Sequence, residues 1–467
     1  MNNVAKHSNV AICSVCCVAR ESGQNPASFV AHAANLVGGL SPDSAVQILL
    51  EMAEQFHREG DWFAATETYM LLTRQYVQHP LVRQAFIRLL QYAASGEIAA
   101  GEQQSNFAVA QISQWGAHPS QQRNISGQNI MQIESTMQTS GGKTYTPDHA
   151  RNNPQSDRTL LLAQYLTQNF PDLADDIVLQ FAVASALRRH HLEQDAARFY
   201  WTRGNLRFDD VWGMRARTEH WLTVQDKSTL PMEQRELPMP ALVSVPTRTK
   251  PFLDGKFDDE KDNGVWRQSN VYSLTPATPR QRLSELLQTG TSVRRIGSVR
   301  EERLRSMSHN FGTQVMFLHD EVYWYIGLRC PKVPGVDYPP IPEGQRLRDI
   351  GMTDQDRVEI LIDVDRDYAT YYSLTIDARG WVTDTCLGAT SWNPQWYVAR
   401  HEDDQAWYIE AAIRLSELSP GMSERVMRPA TTWGIAIRRL VPGIGIECWN
   451  AENSFELSEG FGLLVLP

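Results

Sequence analysis

Between residues 41 and 97 the apolar positions recur at helical spacing: Ala45, Ile48, Leu49, Met52 and Phe56, then Trp62, Ala65, Tyr69 and Leu72. Gly60-Asp61 separates these two predicted helices. A third follows Pro80, with Val82, Phe86, Leu89 and Leu90 on one face. The same period returns from Thr159 to Leu222. After Pro246 the pattern changes to short alternating runs bounded by turns: Val322–Arg329, Arg357–Asp363, Tyr371–Asp377 and Trp433–Arg438. Such runs, with a hairpin-type turn at Asp377-Ala-Arg-Gly380, predict an antiparallel β-sandwich. The expected fold is therefore multidomain α + β, an N-terminal helical repeat-like region followed by a C-terminal antiparallel sandwich.

Composition marks the joints. Residues 98–157 are rich in Gln, Ser, Asn and Gly and lack the apolar surface to order themselves, which predicts a disordered insertion. Pro231, Pro238, Pro240 and Pro246 make 226–246 a stiff linker. The expected order is an N-terminal segment (1–40), helices (41–97), the insertion (98–157), helices (158–225), the linker (226–246) and the sandwich (247–467).

Two resemblances refine this outline. Gly60, Ala65 and Tyr69 resemble the turn glycine, small residue and aromatic of a tetratricopeptide repeat, and Ala196-Ala-Arg-Phe-Tyr200 repeats that spacing. The resemblance implies degenerate repeats able to hold a protein partner. In the second half, Phe252-Leu-Asp-Gly255 followed by Trp266 resembles the opening "IDG…W" of family 9 carbohydrate-binding modules. Val322-Tyr-Trp-Tyr325 is similar to that family's "LYV" strand, and Gln355–Asp363 to its "QD-x-VEI-x-ID" strand. Trp407–Ile413 resembles "W-x-x-E-A-A-I", and Trp433-Gly434 and Phe461–Leu464 resemble the closing strands.

The resemblance implies a non-catalytic carbohydrate binder within a polysaccharide-binding or polysaccharide-degrading system, in the periplasm or outside the cell. In the family two tryptophans sandwich a terminal sugar; the corresponding places here hold Thr353 and Phe455. The family's acidic residue is Glu359, preceded by Asp356; a carboxylate there can accept hydroxyl hydrogens, or Glu359 can pair with Arg357 or Arg438. Trp392 is a candidate replacement platform, while Trp396, Trp266, Trp407 and Trp433 are expected in the packing. The expected ligand contacts are thus Phe455, Glu359, Asp356, Thr353 and Trp392. No cofactor is expected; calcium, which family members bind structurally, has one place to go, Asp363-Val-Asp-Arg-Asp367, otherwise a polar turn. The alternative function is an interaction scaffold whose sandwich has lost sugar binding, as Thr353 suggests.

Composition narrows the partners. With 54 acidic against 44 basic residues and a net charge of −10, the chain has no general attraction for nucleic acid. An arginine-rich insertion at 279–310, interspersed with Glu285, Glu301 and Glu302, is expected to be a solvated loop or an anion contact. Six cysteines do not form a disulfide framework, and Cys13-x-x-Cys16 lacks a second ligand pair for zinc. Val10–Ala19 has the length of a signal-peptide core but little leucine, and no run approaches a membrane span. No nucleophile elbow, zinc-binding HExxH helix, Walker loop or dinucleotide fingerprint occurs, so no catalytic residue is expected.

Overall fold

The computed structural model describes residues 33, 35, 37–59, 61–98, 154–189, 193–205, 211–224, 226–230, 232, 235–257, 264–276, 310–338, 348–390, 392–418, 431–450 and 461–467. The N-terminal cysteines, the export-type segment, nearly all of the 98–157 insertion, almost the whole arginine-rich insertion and Phe455 lie outside the described residues. The chain divides into two compact units, one running to His190 together with Gly388–Trp392, the other comprising His191–Leu387 and Asn393–Pro467.

In the first unit, α1 (Pro42–Glu59), α2 (Trp62–Gln75) and α3 (Val82–Ala94) follow the predicted periodicity. Asp61 caps α2, its carboxylate accepting the Ala64 N–H at 2.9 Å. Ala65 and Tyr69 are fully buried. Tyr69 of α2 donates to Glu54 of α1 at 2.7 Å, and Arg88 of α3 donates to the same carboxylate at 3.2 Å, so one acid ties three helices. Burial pushes the Glu54 carboxyl up, but the Tyr69 hydroxyl and the Arg88 charge together hold it below its usual value. Then come α4 (Pro154–Asn169), the single turn α5 (Pro171–Ala174) and α6 (Ile177–Arg189). Phe86 of α3 packs against Tyr165 of α4 and Phe170, with ring centroids 5.8 and 5.0 Å away.

The second unit opens with a helical hairpin, α7 (Glu193–Asn205) and α8 (Val211–Thr223), in which Ala196 and Tyr200 are fully buried. Its sandwich holds β1 (Ala241–Val243), β2 (Val245–Pro246), β3 (Val271–Ser273), β4 (Thr275–Pro276), β5 (Gln314–His319) and β6 (Tyr323–Pro331). These are followed by β7 (Arg357–Asp363), β8 (Tyr372–Asp377), β9 (Val382–Cys386), β10 (Trp396–Glu402) and β11 (Ala406–Arg414). A single turn, α9 (Leu415–Leu418), precedes β12 (Thr431–Val441), β13 (Gly445–Cys448) and β14 (Gly462–Leu466).

One sheet runs β1-β14-β12-β7-β8-β9, with β13 and β4 continuing from β12; the other runs β10-β11-β6-β5-β2, with β3 also on β5. Neighbours are antiparallel except β1 with β14 and β2 with β5. β1 and β2 lie inside the stretch that composition marks as linker. The chain crosses from one sheet to the other at Ser244, whose N–H donates to Val465 O at 2.9 Å. Between the layers sit Phe317, Trp324 and Trp433, the last two edge to face with centroids 5.9 Å apart. Trp266 is also a packing residue: its indole N–H donates to buried Glu410 at 2.6 Å. The same carboxylate accepts the Asp254 and Gly255 N–H groups at 2.9 and 2.6 Å, which pins the "LDG" segment onto β11.

α8 belongs with this layer of the sandwich. Buried Glu219 accepts the Tyr368 hydroxyl at 2.6 Å and Arg366 Nε at 2.8 Å, and the Arg215 guanidinium lies 4.3 Å over the Tyr368 ring.

Candidate functional site

The alternation along β7 sends Val358, Ile360 and Ile362 into the core and leaves Arg357 and Glu359 on the outer face of the larger sheet. Glu359 stands directly opposite Arg438 of β12 on one side and Thr375 of β8 on the other, and Thr375 faces Thr383 of β9. The carboxylate receives Arg438 Nε at 2.7 Å and Arg357 Nε at 2.8 Å. Burial pushes the Glu359 carboxyl up, but the Arg438 and Arg357 charges outweigh it and hold the group below its usual range. Next to this triad, Leu361, Ala436 and Phe461 form a buried cluster against which the partly buried Tyr371 packs. One face thus joins a fixed carboxylate to two guanidiniums beside Thr375 and Thr383, a set of acceptors and donors that suits a hydroxyl-rich ligand.

Thr353 is exposed in the loop before β7, and its carbonyl accepts Arg357 Nη1 at 3.2 Å, so it adjoins the Glu359 face through Arg357. It offers no aromatic surface. Asp356 turns the other way. It is buried, and its carboxylate receives Arg439 Nε at 2.9 Å and Nη2 at 2.7 Å, Trp407 Nε1 at 3.1 Å and the Tyr338 hydroxyl at 2.8 Å. Arg439, itself fully buried, also donates to Thr313 Oγ1 and Pro331 O. Asp356 is therefore occupied in joining the two sheets. Trp392 is 3% exposed and presents no open ring face. Of the expected contacts, Glu359 and Thr353 come together, Asp356 and Trp392 are buried, and Phe455 lies outside the described residues.

The threonines opposite Glu359 and the half-buried Trp381, whose ring carries the Arg379 guanidinium at 3.9 Å, complete the surroundings that motif reading passed over. Their signal is register: Arg357 faces Asp377, and Asp377 holds Arg379 at 2.6 Å.

The acidic turn after β7 is internally bonded. Asp363 accepts the Tyr368 N–H at 2.9 Å, Asp365 the Asp367 N–H at 3.1 Å, and Asp367 the Ala369 and Thr370 N–H groups at 2.7 and 2.8 Å. Burial, and then the Asp365 charge, push the Asp367 carboxyl up to about 7.

No family model matches the chain, and no curated protein matches it. Among solved structures it is similar to a family 9 carbohydrate-binding module from Caldicellulosiruptor kristjanssonii in complex with cellotriose, at 15% identity and a TM-score of 0.30, over 49% of this chain and 93% of that one. The same module in complex with glucose matches at 15% identity and a TM-score of 0.30, over 49% of this chain and 96% of that one.

Proposed function

We propose that the sandwich is a non-catalytic carbohydrate-binding module that uses the outer face around Glu359, within a polysaccharide-binding or polysaccharide-degrading system. The observation that carries this reading is the Arg357–Glu359–Arg438 triad: a carboxylate locked in its charged form by two guanidiniums, partly open to solvent and flanked by threonine hydroxyls. Held in place, the carboxylate accepts hydroxyl hydrogens and the guanidiniums donate N–H to hydroxyl oxygens without first being ordered by the ligand. The ordered family 9 motifs support the same reading, since each falls on a strand or a strand-anchoring turn.

The test is calorimetric titration of the full chain with mono- and oligosaccharides. Binding weakened about tenfold or more in Glu359→Gln supports the proposal, an expectation scaled to losing bonds to a charged group. A flat response across the panel overturns it.

A second reading has its own observation. Thr353 stands where an aromatic platform is expected, which favours a sandwich that has lost sugar binding beside tetratricopeptide-like helices that hold a protein partner. Between the polar turn and calcium at 363–367, the turn's own N–H bonds favour the polar turn, and a melting curve unchanged by EDTA would support it, whereas a lowered one would support calcium.

A further inference from the structure

The smaller sheet carries an aromatic patch on its own outer face. Trp324 of β6 points between the layers, so alternation turns Tyr323 and Tyr325 outward. The register then sets Tyr325 opposite Ala412 of β11, and Ala412 opposite Tyr397 of the edge strand β10. Ala412 is small, and the Tyr323 and Tyr397 rings meet with centroids 6.4 Å apart, inclined by 60°. Glu359 stands on the other sheet, and none of these residues belongs to its surroundings.

The patch is open to solvent and already ordered. Tyr397 is 46% exposed and Val322, beside Tyr323, 47%, and the side chains of Lys250 and Arg414 are exposed as well. Half-buried Tyr323 gathers both cations: Arg414 Nε donates to its hydroxyl at 3.3 Å, and the Lys250 ammonium lies 5.1 Å over its ring. Tyr397 is therefore the more open ring, with two N–H donors held beside it. Asp320 fixes the turn beneath, accepting the Val322 and Tyr323 N–H groups, each at 2.7 Å, and the Tyr325 hydroxyl at 2.8 Å.

Size and charge select the class of ligand. The apolar part, two tyrosines and a valine, is too small to anchor a protein partner, which covers roughly 800 Å² a side. Glu417, whose charge acts on Arg414, and exposed Glu321 next to Val322 offset the two cations, so the patch has no strong pull on a polyanion. A neutral sugar meets every group: its C–H face lies on Tyr397, and its oxygens accept from Arg414 and Lys250. The platform lies on an open sheet face rather than in a pocket, a setting that suits a chain lying across it better than a single terminal unit. We infer that Tyr397, with Tyr323, Arg414 and Lys250, forms a second carbohydrate-contact surface, one that takes internal units of a neutral polysaccharide chain. The inference rests on the carbohydrate-binding reading proposed above.

The test titrates glucose and cellotetraose into the full chain and into three variants: Tyr397→Ala, Tyr397→Phe and Glu359→Gln. Tyr397 is exposed on an edge strand, so its variants should melt close to the parent protein, and Tyr397→Phe keeps the ring while removing the hydroxyl. Cellotetraose is expected to bind more tightly than glucose, to weaken about tenfold in Tyr397→Ala and to recover in Tyr397→Phe. The same pattern with Glu359→Gln indifferent also supports the surface, while moving the first proposal off Glu359. Cellotetraose binding that is lost in Glu359→Gln and indifferent to Tyr397→Ala overturns the inference and leaves the carbohydrate reading standing. Tyr397→Phe as weak as Tyr397→Ala overturns the platform, and glucose bound as tightly as cellotetraose overturns the contact with internal units. No binding of either sugar overturns both readings.

Discussion

Glu359 of β7 and Arg438 of β12 are directly cross-strand, joined at 2.7 Å through Nε, and Arg357 closes on the same carboxylate from the other side. Replacing Glu359 by Gln leaves two guanidiniums facing a neutral amide and should cost about 1–3 kcal/mol, the range for bonds to charged groups. Because the folded carboxyl titrates below its usual value, its contribution is present above the ordinary glutamate range and disappears as pH falls through the folded value. Thermal melts from neutral to acidic pH should therefore show the gap between parent and variant closing on the acid side.

Asp367 predicts the opposite slope. Its carboxyl is raised from an ordinary 3.8 to about 7, so the folded chain holds a proton there that the unfolded chain releases. Its contribution is greatest below the ordinary aspartate value and declines as pH rises towards about 7. Asp367→Asn keeps an acceptor for the Ala369 and Thr370 N–H groups and should flatten this part of the stability–pH curve. An unchanged slope in the variant would refute the assignment.

Asp356→Ala strands Arg439 in the core without its counter-charge. A loss of about 3–5 kcal/mol is expected, as for other buried pairs broken on one side. The double variant Asp356→Ala/Arg439→Met should recover part of it, because the stranded charge rather than the missing pair dominates the loss. A melting comparison of single and double variants decides this.

Gly255 sits at φ 82°, and its N–H donates to Glu410. A Cβ there would fall on the backbone of Arg400 and His401. Gly255→Ala should cost about 2 kcal/mol or more, combining left-handed strain with a backbone clash. A variant that melts with the parent would show that β10 gives way easily.

The strand runs were legible because a half-buried strand must alternate: Arg357–Asp363 and Tyr371–Asp377 coincide with β7 and β8 to within a residue. The α1–α3 helices were legible from the same principle at a period of 3.6. Asp356 shows the limit. It lies one residue before β7 yet keeps the strand's alternation, on the same side as Val358 and Ile360 and opposite to Glu359, and only the fold reveals Arg439 and Trp407 waiting on that inner side. The Arg438 partnership was open on paper because register between β7 and β12, far apart in sequence, is settled by packing rather than by any local signal.

The crossing at Ser244 has a consequence for where the sandwich can be cut. Three residues of β1 zip onto β14 and two of β2 onto β5, with His319 Nδ1 meeting Ser244 Oγ at 3.2 Å between them. The segment works as a suture through both layers. A fragment starting at Thr247 would lose it and expose the backbone edge of β14, a hydrophobic strand ready to pair with another copy. Such a fragment should aggregate, whereas one that keeps the chain from before Ala241 retains its edge guard.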